Sequence, residues 1–154
     1  MTRKPLLIGG LAAVAALAGG NFVRTAPIDP AAWHADPAEA VRSGKPNDYL
    51  VAEGGDRAPP RFSARPAAVA SAFDAVAMAE PGVTRLAGDP AEAHVSYVQR
   101  SRIVGFPDIV SARAVADGDG ARLLVWSRSR YGHSDMGVNR ARVEAWLARV
   151  GDRL

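Results

Sequence analysis

The stretch from residue 127 to residue 147, SRSRYGHSDMGVNRARVEAWL, sets a histidine, a serine and an aspartate side by side between two glycines. These are the residue types of nucleophilic hydrolases, in which the three side chains converge from separate segments to align their hydrogen bonds. Adjacent residues such as His133, Ser134 and Asp135 do not converge in that way. The hydrolase elbow also needs a glycine two residues after the serine, and Met136 occupies that position. We therefore favour a non-catalytic interpretation of this run.

A structural interpretation fits the same residues better. Ser134 or Asp135 directly precedes a helical pattern, where a side-chain oxygen caps the free N–H groups of the first turn. We expect Arg140 or Arg142 to close the turn against Asp108 or Asp135. The remaining alternative is a binding site, because a helix N-terminus with clustered arginines suits a phosphate or carboxylate. The candidate ligand- or anion-binding residues are Asp108, Arg128, Arg130, His133, Ser134, Asp135, Asn139, Arg140 and Arg142.

The composition argues against several further classes of site and partner. The chain has 154 residues, no cysteine and three scattered histidines without metal-ligand spacing, so we expect no metal site and no cofactor. The formal net charge is +3, and the positive charge comes almost entirely from arginine. No aromatic-rich strand or recognition helix accompanies the arginines, so we expect no nucleic-acid partner.

The N-terminal segment, residues 1–24, is a membrane anchor or a signal peptide. Arg3 and Lys4 precede an uncharged run over residues 5–23, and Arg24 closes it. The run is near the lower limit for spanning a bilayer, while Ala16-Leu17-Ala18 is a small-residue site typical of signal cleavage. Both interpretations send residues 25–154 across the membrane. We expect an inner-membrane protein with its folded domain in the periplasm, or a periplasmic one if the signal is cleaved.

Residues 25–62 form a proline-rich stretch without clear periodicity, which predicts an extended arm. Residues 63–154 read as one α+β domain. A helix is predicted within residues 63–80, with Val69, Phe73 and Val76 on one stripe. Strands then follow in VTRLA, AHVSYVQRS, FPDIVSARAVA and ARLLVWSRSR, with a hairpin turn at DGDG.

The last element is an amphipathic helix in VNRARVEAWLARVGDRL. Its apolar stripe consists of Val143, Trp146, Leu147, Val150 and Leu154. The element order is therefore helix, four strands, helix. It predicts a four-stranded antiparallel meander with two flanking helices, preceded by the arm and an N-terminal hydrophobic helix.

The C-terminal stretch resembles the signature of the domain-of-unknown-function 1499 family. In that family a serine- and arginine-rich strand enters a glycine–aromatic–serine–aspartate–leucine–glycine–valine–asparagine–arginine turn and then a helix. The matching residues are Gly132, Ser134, Asp135, Gly137, Val138, Asn139, Arg140 and Arg142, with His133 and Met136 at the aromatic and leucine positions. The strand GFPDIV and the arm PIDPAAWHADP are also similar to this family, in its membrane-anchored proteobacterial type. The resemblance covers roughly residues 25–150 and implies no known activity.

Three functions remain open at this point. The first is a non-catalytic envelope domain, tethered to the lipid bilayer by its N-terminal helix, that binds a protein partner or an anionic ligand. The alternative is a hydrolase or transferase acting on an envelope lipid or glycan, with Ser134 or His133 and Asp108 in the site. The third is a structural accessory subunit. An open cleft at residues 127–142 would favour the enzyme, and a corner closed by its own salt bridges would favour the accessory subunit.

Overall fold

The computed structural model of the protein describes residues 25–102 and 104–154. Within them, six strands form one antiparallel sheet in the order β1-β6-β5-β4-β3, and β2 pairs with β6 beside β1. The strands are β1 (Asp48–Val51), β2 (Arg61–Phe62), β3 (Val83–Asp89), β4 (His94–Arg100), β5 (Pro107–Asp117) and β6 (Gly120–Ser129). The helices are α1 (Pro30–Trp33), α2 (Pro66–Met78) and α3 (Val138–Val150).

The α+β class and the meander are confirmed, because β3 to β6 are neighbours in the sheet in chain order. The predicted count of four strands is wrong. The arm adds β1 and β2, which continue the sheet along the free edge of β6. These strands have four and two residues and lie among prolines and glycines, so they are too short to show an alternating pattern. Pairing with a distant strand stabilises them.

Helices α2 and α3 cover one face of the sheet, which we call the helix face. Val69, Phe73 and Val76 of α2 are fully buried, as the helical stripe predicts. Trp146 of α3 is 2% exposed, and its ring packs edge-on against Phe73 at a centroid distance of 5.7 Å. Leu154 departs from the predicted stripe, since α3 ends at residue 150 and this side chain is 50% exposed.

The arm covers the opposite face of the sheet, which we call the arm face. A second apolar cluster forms there from Leu50, Ala52, Leu124 and Trp126. Strand β6 alternates between the faces, as strand geometry requires. Leu123 and Val125 belong to the helix-side core, whereas Leu124 and Trp126 belong to the arm-side cluster. Each residue of β6 therefore faces either the helices or the arm.

The hairpin between β5 and β6 closes at residues 117–120, where it was predicted. Asp117 pairs with Gly120, and Gly118 has a φ of 60°. A positive φ at the first central residue but not at the second, Asp119, defines a type II′ turn, which favours glycine at the first position. The turn fixes the register of β5 on β6, and with it which side chains of the two strands lie opposite each other.

Within the described residues, no helix is long and apolar enough to cross a membrane. The predicted anchor or signal peptide at residues 1–24 lies outside them.

Candidate functional site

The turn that leads into α3 is closed by Asp135. Its Oδ1 accepts a hydrogen bond from the backbone N–H of Gly137 at 3.0 Å. Its Oδ2 accepts from the backbone N–H of Asn139 at 2.8 Å and from the side-chain amide of Asn139 at 2.7 Å. Gly137 stands at the N-cap with a φ of 81°, a conformation that suits glycine. Asp135 therefore supplies the capping oxygens.

A buried polar network continues from this turn onto the helix face of the sheet. Asn139 is fully buried, and its Oδ1 accepts from the Ser127 hydroxyl at 2.5 Å and from Arg142 at 2.7 Å. Arg142 also donates to the Asp108 carboxylate at 2.7 Å. Only 9% of the Arg142 side chain and 15% of the Asp108 side chain are exposed. The family-like turn therefore ties α3 to β5 and β6 through satisfied hydrogen bonds.

The three other predicted residues of the corner lie on its surface. His133, Ser134 and Arg140 are all exposed. The Ser134 hydroxyl accepts from the backbone of Met136 at 3.3 Å, and Arg140 lies 6.0 Å from the ring centre of Tyr49. Over the described part of the chain, His133 makes no hydrogen bond to Ser134 or Asp135. A nucleophile and its base need that contact, so the run lacks the geometry of a catalytic triad.

The sheet separates the remaining two candidates from this corner. Because β6 alternates, Arg128 points to the arm face, opposite Ser127. Arg130, just past the end of β6, also lies on the arm side, where it contacts Pro27 of the arm. Asp108 lies opposite Ser129 in the register of β5 on β6, so it shares the helix face with the network. The predicted candidates thus belong to two places rather than one.

Arg128 is the unusual residue of the arm face. The residue is 7% exposed, and its guanidinium lies 3.9 Å from the ring centre of Trp126 and 5.2 Å from that of Trp33. Its Nη2 donates to the backbone oxygen of Trp33 at 2.6 Å. Its Nε and Nη1 are buried and have no hydrogen-bond partner among residues 25–102 and 104–154. Burial lowers the pKa of Arg128 to about 10, and Asp48 opposes that change, so the group stays charged at neutral pH.

The nearest acid does not satisfy those nitrogens. Asp48 pairs with Arg128 in the register of β1 on β6. Its carboxylate instead accepts two hydrogen bonds from Arg42, at 2.7 and 2.9 Å, and one from the Trp126 indole at 3.0 Å. Burial disfavours the charged carboxylate, but these bonds hold the pKa of Asp48 below its usual value.

Arg128 lines a cleft of about 720 Å³ between the arm and the end of β6. Two further cations, Lys45 and Arg130, line it, together with the acids Glu39 and Asp48. Arg130 donates to the backbone oxygen of Pro27 at 2.7 Å. The apolar part of the wall is Trp33, Val41, Trp126 and Tyr131. Aromatic walls, a few polar groups and a buried cation are features that this cleft shares with small-molecule sites.

Sequence reasoning missed the aromatic residues around Arg128. The alternation of β6 does place Trp126 and Arg128 on one face, two residues apart, and that is the signal that was available. Trp33 lies 95 residues earlier in the chain than Arg128, so no local pattern indicates this contact. In the described residues, no group of three or more histidine, aspartate or glutamate side chains is arranged to hold a metal ion.

Fold and site together define a class of protein: an antiparallel sheet with two helices on one face, a covering arm on the other, and a buried arginine at the cleft between arm and sheet. The chain belongs to the family described as "Protein of unknown function (DUF1499)", whose model matches residues 23–150. This confirms the resemblance carried by the turn into α3. A comparison with curated proteins finds no match to the chain.

Proposed function

We propose that the protein is a membrane-tethered, non-catalytic binding domain of the cell envelope, and that it binds a small anion in the cleft at Arg128. The anionic group is a phosphate or a carboxylate, because both accept the paired N–H bonds of a guanidinium. The tether is the uncharged run over residues 5–23.

The observation that supports the anion site is the unsatisfied guanidinium of Arg128. Nε and Nη1 are buried, and no described residue accepts a hydrogen bond from them. An unmade hydrogen bond of a buried donor costs about 1–3 kcal/mol, and more for a charged group. Buried polar groups are nearly always paired, so an exception calls for a reason. A bound anion would provide one, since it would accept both free N–H groups.

Entry of the anion requires Trp33 to move. The two free nitrogens have almost no contact with solvent, and the Trp33 carbonyl and ring lie over the same guanidinium. Trp33 ends α1, a single turn of four residues, which has little stability of its own. Lys45 and Arg130 at the cleft wall add positive charge that attracts an anion.

The enzymatic alternative lacks comparable support. Asp135 and Asp108 are engaged in capping and in the pair with Arg142, and Ser134 has no base beside it among the described residues. On the helix face, the corner of residues 127–142 is closed by its own bonds, which suits a structural accessory role. On the arm face, residues 128–132 of the same stretch line the open cleft, the feature that we expected to favour an enzyme. The buried, partly unpaired charge on the arm face favours binding over a purely structural role.

Calorimetric titration of the full chain in detergent with inorganic phosphate tests the site. We expect saturable binding that Arg128→Met abolishes, while Arg85→Met leaves it unchanged. Arg85 is the matched control, because it lies on β3 and pairs with Asp74 at 2.8 Å, away from the cleft. Arg128→Met should fold at least as stably as the parent, since replacing a buried, incompletely paired charge by an apolar group is often neutral or stabilising. Equal phosphate binding by parent and Arg128→Met would overturn the proposal.

Fractionation of cells that express the tagged full chain tests the tether. We expect the protein in the membrane fraction, with the folded domain open to protease only after the outer envelope is breached. A chain that starts at Met1 and is recovered in the soluble cytoplasmic fraction would contradict this. Mass spectrometry that finds a mature start near Gly19 would replace the anchor with a cleaved signal peptide.

A further inference from the structure

Exposed apolar side chains gather at one end of the sheet. Phe106, just before β5, is 43% exposed; Met136, two residues before α3, is 93% exposed, and Val138, the first residue of α3, is 48% exposed. Phe106 packs against Tyr131 at a ring-centroid distance of 6.3 Å. The backbone of Arg130 donates to that of Pro107, so the two connections meet at this end. We call Phe106, Tyr131, Met136 and Val138 the apolar tip.

The charges around the apolar tip are mainly positive. Arg102, in the connection before β5, and Lys45, in the arm, are exposed. The acid nearest the tip in sequence, Asp135, accepts its hydrogen bonds from the turn. Asp108 at the start of β5 is paired with Arg142. Isolated exposed apolar residues are ordinary on a protein surface, but a group of them rimmed by cations fits an interface with anionic phospholipid.

The chain enters the domain at this same end. Arg130 donates a hydrogen bond to the backbone oxygen of Pro27, and Ala26 is buried. The uncharged run ends at Val23, four residues before Pro27. Four extended residues span at most about 14 Å. If the run is anchored in a bilayer, the apolar tip is therefore held close to its surface.

We infer that the apolar tip is a membrane-docking surface. Its apolar side chains enter the interfacial region of the bilayer, and Lys45 and Arg102 contact anionic lipid headgroups. The inference rests on the proposed tether, which brings the tip to the bilayer. Docking in turn holds the domain in one orientation, with the part of the cleft that Tyr131 and Gly132 line close to the headgroups.

The absence of cysteine makes a specific test available. The full chain is labelled with an environment-sensitive fluorophore at Met136→Cys, or separately at Phe106→Cys, and reconstituted into vesicles of phosphatidylcholine and phosphatidylglycerol. Ala91→Cys is the matched control, because Ala91 is exposed in the connection between β3 and β4, at the opposite end of the sheet. A nitroxide attached to the lipid headgroups quenches only those fluorophores that lie at the bilayer surface.

We expect strong quenching at both tip positions and little at Ala91→Cys. Arg102→Gln should lower the ratio of docked to undocked tip about five-fold in these vesicles, and have little effect in vesicles of phosphatidylcholine alone. If the chain stays with the vesicles but its tip labels are quenched no more than the Ala91 label, the docking proposal is overturned and the tether stands. A chain that does not stay with the vesicles overturns the tether and, with it, the docking.

Discussion

Arg142 and Asp108 form an ion pair of 2.7 Å between α3 and β5, and both side chains are largely shielded from solvent. Arg142 also donates to the Ser127 hydroxyl at 3.0 Å, so its guanidinium joins three elements. A shielded charge that loses its partner is costly, whereas loss of both partners costs much less. Removal of one partner of this pair should therefore destabilise the helix face.

Arg142→Met should lower the free energy of unfolding by about 3–5 kcal/mol, because it leaves the Asp108 carboxylate without a partner. The measurement is urea denaturation of the parent and the variant. Arg149→Met is the control: its pair with Glu80 is more exposed, and such pairs contribute roughly 0–1 kcal/mol. Equal losses in the two variants would show that the Arg142 pair has no special role in stability.

Asp135→Ala should lower the free energy of unfolding by about 2 kcal/mol, since it removes the acceptor for three hydrogen bonds at the start of α3. Ser134→Ala should change it by less than about 0.5 kcal/mol, because Ser134 is exposed and makes one long bond. Thermal melts compare the two neighbours directly. A fully stable Asp135→Ala protein would contradict the capping role.

Trp146→Ala should lower the free energy of unfolding by about 3–5 kcal/mol. Its ring lies between the helices and the sheet, edge-on to both Phe73 and Tyr97. Leu154→Ala is the matched control, because Leu154 lies beyond the helix and is half exposed. Denaturation of the two variants decides whether the stripe of α3 faces the core, and a Trp146 variant as stable as the parent would argue against it.

Sequence reasoning succeeded where a local pattern carries the information. Helix α2 shows a 3.6-residue stripe, β6 is a continuous apolar run that ends in alternating serine and arginine, and residues 117–120 have turn chemistry. Each was therefore predicted close to its observed position. The two arm strands were missed because they exist only by pairing with β6. Strand β1 meets β6 through Asp48 and Arg128, residues that are far apart in the chain.

The predicted site residues lie on two faces of the sheet, and this division also depends on strand pairing that the sequence does not show. Alternation separates Arg128 from Ser127 within β6, but only the register of β5 on β6 places Asp108 with Ser129 on the helix face. Nothing in the arm indicates locally that Trp33 covers Arg128. A contact of this kind depends on the path of the arm over the sheet, which is set by tertiary packing rather than by propensity.

The last prediction concerns the stacked histidines that fasten the arm to the sheet. His34 follows α1, His94 begins β4, and their rings are parallel to within 22° at a centroid distance of 4.0 Å. His34 Nδ1 hydrogen-bonds the Ser96 hydroxyl at 2.8 Å, and His94 Nε2 donates to the backbone oxygen of Ala35 at 3.2 Å. Burial is the main cause that lowers the pKa of His34 below 6.5, and electrostatic repulsion from the neighbouring His94 lowers this pKa further.

The unfolded chain therefore binds a proton at His34 at a higher pH than the folded chain. The stability that His34 contributes is complete above about pH 6.5, and it is lost as the pH falls from there through the lowered folded pKa. His34→Phe keeps a ring in the stack and removes the titration, so its stability should fall less than that of the parent between about pH 7 and about pH 5. His133→Ala, at an exposed position, should follow the parent. Thermal melts across this range measure the difference, and parallel profiles for the parent and His34→Phe would show that protonation of His34 does not loosen the arm.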